Sequence, residues 1–200
     1  MAGRTSLLDD LSAELAARGA RAELFLVGGA ALAVAYDATR ATRDLDAVFI
    51  LTDVVRQAAA TVAEHKGLAE DWLNDAVKGF LPGPDPDAQR FYASDSLIVD
   101  VASPRYLLAM KLFADRAEID AEDIALLYRQ LGFTTVDEGL DLVEQAYPGR
   151  AIPPKVRFLL PKSWTRYKTE SATTGGYRRC QQLPYACTEA RPYRRLFRWR

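Results

Sequence analysis

The stretch that decides the fold is Leu26-Val27-Gly28-Gly29-Ala30-Ala31-Leu32-Ala33-Val34, followed by Arg40-Ala41-Thr42-Arg43-Asp44-Leu45-Asp46-Ala47-Val48-Phe49-Ile50. It reads as a strand, a tight glycine turn, a short helix and a second strand that opens with two carboxylates one residue apart. Side chains alternate faces along a strand, so Asp44 and Asp46 point the same way. Two acidic groups held side by side are costly unless a cation lies between them. Mg²⁺ suits such hard oxygen ligands and commonly completes its octahedron with substrate phosphates. Gly28 and Gly29 allow a ligand close to the backbone, and the start of a helix favours an anion. The pattern points to chemistry on a nucleoside triphosphate.

The remaining chain reads outward from this core. Residues 5–19 form a first helix, with Leu7, Leu8, Leu11, Leu15 and Ala16 on one face and Gly19 as its stop. Strands are expected at 23–27 and 44–51, and helices at 30–36 and 54–66. Another helical piece is expected at 71–76 and a short strand at 78–81. Residues 82–87, Pro-Gly-Pro-Asp-Pro-Asp, read as a turn-rich loop. Strands follow at 90–93 and 96–102. Helices are then expected from Pro104 to about residue 117, over 122–131 closed by Gly132, over 136–146, and briefly over 155–160. This order implies an α+β fold: a mixed sheet with flanking helices in residues 1–103, then a small helical segment over 104–160 packed on it.

The chain has 200 residues and 49% hydrophobic composition, enough for one sizeable core. Its net charge of −1 conceals a division. Residues 1–160 hold 16 Lys/Arg against 25 Asp/Glu, a net of −9, and residues 161–200 hold 10 against 2, a net of +8. The acidic body argues against a broad RNA-binding surface, which needs Lys and Arg. The tail, with Tyr193, Phe197 and Trp199 among Arg191, Arg194, Arg195, Arg198 and Arg200, reads either as a nucleic-acid arm or as a disordered terminus, and the second is favoured. No apolar run is long enough to span a membrane, and the charged start does not look like a signal peptide, so a cytoplasmic protein is expected. Cys180 and Cys187 lie in the tail, and the single histidine, His65, reads as a solvated residue of a last helical turn. Zinc sites and histidine-based triads are thus poorly supported. There is no G-x-x-x-x-G-K-[ST], and no G-x-G-x-x-G after the strand.

Three further residues stand out. Asp100 interrupts the apolar run Leu97-Ile98-Val99-Asp100-Val101-Ala102, and a buried carboxylate without a partner costs several kcal/mol. It reads either as a third acidic group, ligating metal or activating an acceptor hydroxyl, or as a strand-end residue that pairs with Arg105 or caps the helix at Pro104. Lys111 lies on a mostly apolar helix, and either reaches a phosphate or pairs with Asp115. Asp123 reads either as a site residue or as the partner of Asp120 in a capping box.

Gly28-Gly29 and Arg40-x-Thr42-x-Asp44-x-Asp46 together resemble the signature of the minimal nucleotidyltransferase fold, more narrowly the AbiEii/MenT group of toxin-type nucleotidyltransferases. Lys111 in Leu107-Leu108-Ala109-Met110-Lys111-Leu112, then Arg116 and Asp120-x-x-Asp123, match a downstream lysine helix, arginine and aspartate of that family. The likeness covers residues 22–132, and more loosely extends to 160. Ala30 stands where many relatives carry a hydroxyl.

The resemblance implies transfer of a nucleoside monophosphate from an NTP, with release of pyrophosphate. Asp44 and Asp46 would hold Mg²⁺. Gly28, Gly29, Arg40 and Thr42 would bind the nucleotide, and Asp100, Lys111 and Asp123 would complete the catalytic set. The acceptor it points to is the 3′ end of a tRNA, in a toxin restrained by an antitoxin protein. Two other readings stay open: an enzyme that places AMP on a protein partner, and an inert domain that binds nucleotide or partner.

Overall fold

The computed structural model describes residues 2–36, 45–49, 52–114, 120–152, 154, 156 and 157. Within them the chain is α+β. Helix α1 (Ala2–Ala17) ends at Gly19, whose φ of +63° is the left-handed geometry that stops a helix. Strand β1 (Ala22–Leu26) leads into α2 (Gly28–Ala31), which loosens into a π-turn over Leu32–Tyr36. Then follow β2 (Leu45–Phe49), α3 (Thr52–Lys66), β3 (Leu73–Asn74), a 3-10 turn (Ala76–Phe80), β4 (Gln89–Ala93) and β5 (Leu97–Val101). Helices α4 (Pro104–Phe113), α5 (Ala121–Leu131) and α6 (Val136–Ala146) complete the described chain.

The five strands form one mixed sheet in the order β3-β2-β1-β5-β4. At its centre β1 runs antiparallel to β2 and parallel to β5, while β2 pairs parallel with β3 and β5 antiparallel with β4. Alternation separates two faces. Ala22, Leu24 and Leu26 register with Leu97, Val99 and Val101, and all six are buried. α1 packs on α3 and on β5 over this face. Glu23, Phe25, Val48, Ile98 and Asp100 lie on the other face, where Glu23 is exposed and Phe25 and Ile98 are half-buried. The apolar core is continuous from Leu8, Leu11 and Leu15 through the sheet to Leu107, Leu127 and Val143.

Among the described residues the expected order of elements is observed, with one exchange; the brief helix expected over 155–160 lies largely outside them. Residues 71–76 were expected to be helical and 78–81 to be a strand, but the strand is Leu73–Asn74 and the turn that follows is helical. Tertiary contacts decide this: Trp72 is buried and its indole N–H donates to the carbonyl of Ala59 at 2.9 Å. Leu73, also buried, then falls in register with Leu45 at the sheet edge. His65 is exposed in the last turn of α3, as read from the sequence. The tail 161–200 and both cysteines lie outside the described residues.

α6 carries an interior glycine for a steric reason. A Cβ on Gly139 would stand 1.9 Å from the hydroxyl of Tyr128 and 2.9 Å from its ring carbon Cζ. Tyr128 is fully buried, so the clash has no outward relief. Overpacking costs about 1–3 kcal/mol, and at so short a distance lies at the upper end. Replacing a helical glycine by alanine gains only about 1 kcal/mol. Gly139→Ala therefore lowers the urea unfolding midpoint; a raised midpoint would show that α5 and α6 do not press together here.

Candidate functional site

The turn after β1 is shaped around a carboxylate. Gly28 has φ +61°, and a Cβ there would meet Asp46 Oδ2 at 2.6 Å. Asp46 is brought to this point by the sheet: the N–H of Val27 donates to its carbonyl at 3.0 Å, extending the β1–β2 ladder past the end of β1. Its side chain is half-buried and shares the sheet face of Phe25 with the buried Val48. The first helical bond of α2 is from the N–H of Ala31 to the carbonyl of Val27, so the N–H groups of Gly28, Gly29 and Ala30 precede the helical ladder. A Cβ on Gly29 would meet nothing within 4 Å, so the space beside the second glycine is open. Arg40, Thr42 and Asp44 lie outside the described residues.

A half-buried carboxylate is the kind of hard oxygen ligand that a divalent cation takes. Among the described residues no group of three or more His, Cys, Asp or Glu gathers to hold a metal ion.

Asp100 lies on the same face, in register with Phe25 on β1 and Arg90 on β4. β1 separates it from Asp46, and by ladder geometry their Cα atoms stand about 12 Å apart, two strand spacings across and two residues along. The Asp100 side chain is 5% exposed and accepts from Arg90 Nε at 2.5 Å and Nη2 at 3.4 Å. Neither Arg105 nor a capping role is involved. Ser103 caps α4 instead, its hydroxyl accepting from the N–H of Tyr106. Cross-strand register brings Arg90 to Asp100, a pairing that a reading along the chain did not reach.

Lys111 and Asp123 come together. Lys111 Nζ stands 2.6 Å from Asp123 Oδ2 and 2.8 Å from Asp120 Oδ1, and all three side chains are largely buried. Asp115 lies outside the described residues. Asp120 occupies the N-cap position of α5 but makes no side-chain cap, because its carboxylate is turned to Lys111. The expected Asp120/Asp123 capping box is therefore absent. A capping box is present one helix later, where Thr135 and Glu138 cap α6 reciprocally.

A further buried carboxylate, Asp85, was read from sequence only as part of a turn. Asp85 Oδ2 accepts from the N–H of Ser103 at 2.7 Å, and Oδ1 from the Ser103 hydroxyl at 3.0 Å and the N–H of Asp87 at 3.1 Å. It fastens the proline-rich loop to the start of α4. Tyr106 donates to the carbonyl of Gly83 from the same helix and packs edge-on against Phe25, 5.3 Å between ring centres. Tyr36 ties the π-turn to the end of β5 through the carbonyl of Ala102. Burial pushes the phenols of Tyr36 and Tyr106 up, and the nearby Asp85 adds to the effect. Burial also holds the Asp85 carboxyl above the usual carboxylate range, although its three donors pull it down.

The two glycines separate experimentally. Gly28→Ala forces a side chain into left-handed backbone, at a cost of about 1–2 kcal/mol, and displaces Asp46. Gly29→Ala leaves stability unchanged or slightly raised. Equal melting temperatures for the two variants would contradict the cradle. For Asp85, the folded state holds the proton between the ordinary and the raised pKa more than the unfolded chain does. Its contribution to stability is thus present in acid and lost as pH rises through the raised value. Urea unfolding of the wild type and Asp85→Asn, from about pH 3 to about pH 7 around the ordinary carboxylate value, should show the wild type's relative stability falling with pH. A difference that is flat with pH would mean that the carboxyl is unshifted. No family model matches the chain, and no match was found among curated proteins or solved structures.

Proposed function

We propose that this chain is a Mg²⁺-dependent nucleotidyltransferase that moves NMP from an NTP to an acceptor hydroxyl. The observation that carries the reading is the half-buried Asp46 carboxylate held against the left-handed Gly28. The mixed α+β sheet and the resemblance of residues 22–132 to AbiEii/MenT-type nucleotidyltransferases support it.

In this reading Asp44 and Asp46 hold the metal, which would neutralise triphosphate charge and stabilise the departing pyrophosphate. Backbone N–H groups at Gly29 and Ala30, with Arg40 and Thr42, bind the phosphates. The acceptor oxygen forms a bond to the α-phosphorus, and the bond from that phosphorus to the bridging oxygen of the β-phosphate breaks. The proton of the acceptor hydroxyl passes to solvent; Asp100, on the far side of β1 with its side chain 5% exposed and both oxygens on Arg90, is held as a structural pair.

Lys111 and Asp123 enter in a narrower way. Their ion pair with Asp120 joins α4 to α5, so in this reading they hold the two helices of the helical segment together. The acceptor implied by resemblance is the 3′ end of a tRNA, for a cytoplasmic toxin held by an antitoxin. The net charge of −9 over residues 1–160 favours a protein hydroxyl instead. No helix among the described residues is long and apolar enough to cross a membrane.

The test is incubation with Mg²⁺ and each of the four α-³²P-labelled NTPs, in the presence of total RNA and of extract protein. Label transferred by the wild type should be lost by at least about 100-fold in Asp46→Ala, with the fold retained by circular dichroism. Label on RNA selects the tRNA-type acceptor, and label on protein selects the AMP-transferase. Absence of label with either acceptor, while nucleotide still binds, would overturn the transferase in favour of an inert nucleotide-binding domain.

A further inference from the structure

Strand β3 is two residues long, yet it is fastened at both ends. Before it, Trp72 is buried and donates to the carbonyl of Ala59. After it, Asp75 accepts from Arg56 at 2.9 Å and from Lys78, and these cations, Lys78 foremost, hold its carboxyl below the usual range. Between these anchors, Leu73 is buried and Asn74 is half-buried. Asn74 registers directly with Asp46 on β2. Partners in register share a face, with neighbouring strands about 5 Å apart.

Asparagine is a poor strand former. A residue that opposes its local structure, but is held rigidly by its neighbours, marks a position where the side chain is needed. The Asp46 carboxylate sits between two strands. Its Oδ2 lies against Gly28 on the β1 side, and Asn74 stands on the β3 side. A carboxylate that binds a metal is itself oriented by hydrogen bonds from its surroundings. A carboxamide supplies a neutral N–H donor there, without the charge that would compete with the cation.

We infer that Asn74 is a positioning residue for Asp46, holding the carboxylate in the orientation that binds a divalent cation, an inference that rests on the metal-dependent reading above. Its role is orientation from the flank opposite Gly28, so Gly28 and Asn74 together bracket the carboxylate.

The test is titration with Mn²⁺ alone, followed by loss of the free-ion electron paramagnetic resonance signal, together with the melting temperature of the metal-free protein. The proteins are the wild type, Asp46→Ala, Asn74→Leu and Asn74→Ala. Wild type should bind in an Asp46-dependent way. Both Asn74 variants should bind about 10–100-fold more weakly, and their melting temperatures should stay within about 2 °C of wild type. If wild-type binding depends on Asp46 but the Asn74 variants bind equally well, the positioning role is overturned and the metal reading stands. If weakened binding in both variants comes with a matching fall in melting temperature, Asn74 is structural and the inference fails. If wild type binds no better than Asp46→Ala, the metal reading and this inference fall together.

Discussion

The turn that ends β1 constrains everything around it. β1 is hydrogen-bonded on both sides, so its direction and height are fixed, and the chain must leave it sharply at Gly28. A left-handed backbone without a Cβ lets α2 start immediately while the neighbouring strand brings a carboxylate against the turn. A side chain at Gly28 would push Asp46 outward or tilt α2, and α2 packs on α4. The accuracy of the site and the docking of the helical segment therefore share one steric requirement.

The covering of the sheet follows from the same arrangement. Apolar alternation on β1 and β5 buries one face beneath α1 and α3, as a half-polar sheet demands. The other face keeps a band of polar groups, Asp46, Asp100, Arg90 and Asn74, beside Phe25 and Ile98. Buried carboxylates near this band are each held by named donors. Asp100 has Arg90, Asp85 has Ser103 and Asp87, and Asp123 has Lys111. Buried charge is costly without such partners, so these pairs define where loops and helices attach. Lys111 and Asp123 thus have a structural explanation that stands without any reaction.

How legible was this? Strand β1, the glycine turn, α3, and the closures at Gly19 and Gly132 could be read directly, because hydrophobic period and glycine position are local properties. So could the α+β class, and Asp46 as a residue at the edge of a buried strand. Residues 71–80 were misread because Trp72 and Leu73 are decided by a distant carbonyl and by the sheet edge. The capping role of Asp120 was misread because a lysine nine residues earlier takes its carboxylate. Arg90, Asp85 and Asn74 carried no signal along the chain, since each acquires its partner through register or loop closure.

The sequence alone determined most of the helices and strands, where most of them stop, and that a carboxylate, Asp46, stands on the strand after a glycine turn, since these depend on local backbone preference and periodic burial. Only the tertiary structure decided which glycine is sterically required, which donors answer each buried carboxylate, and which face of the sheet carries its polar groups. Those outcomes depend on strand order and on pairing between residues far apart in the chain. A one-dimensional pattern does not contain that information until the strands are placed side by side.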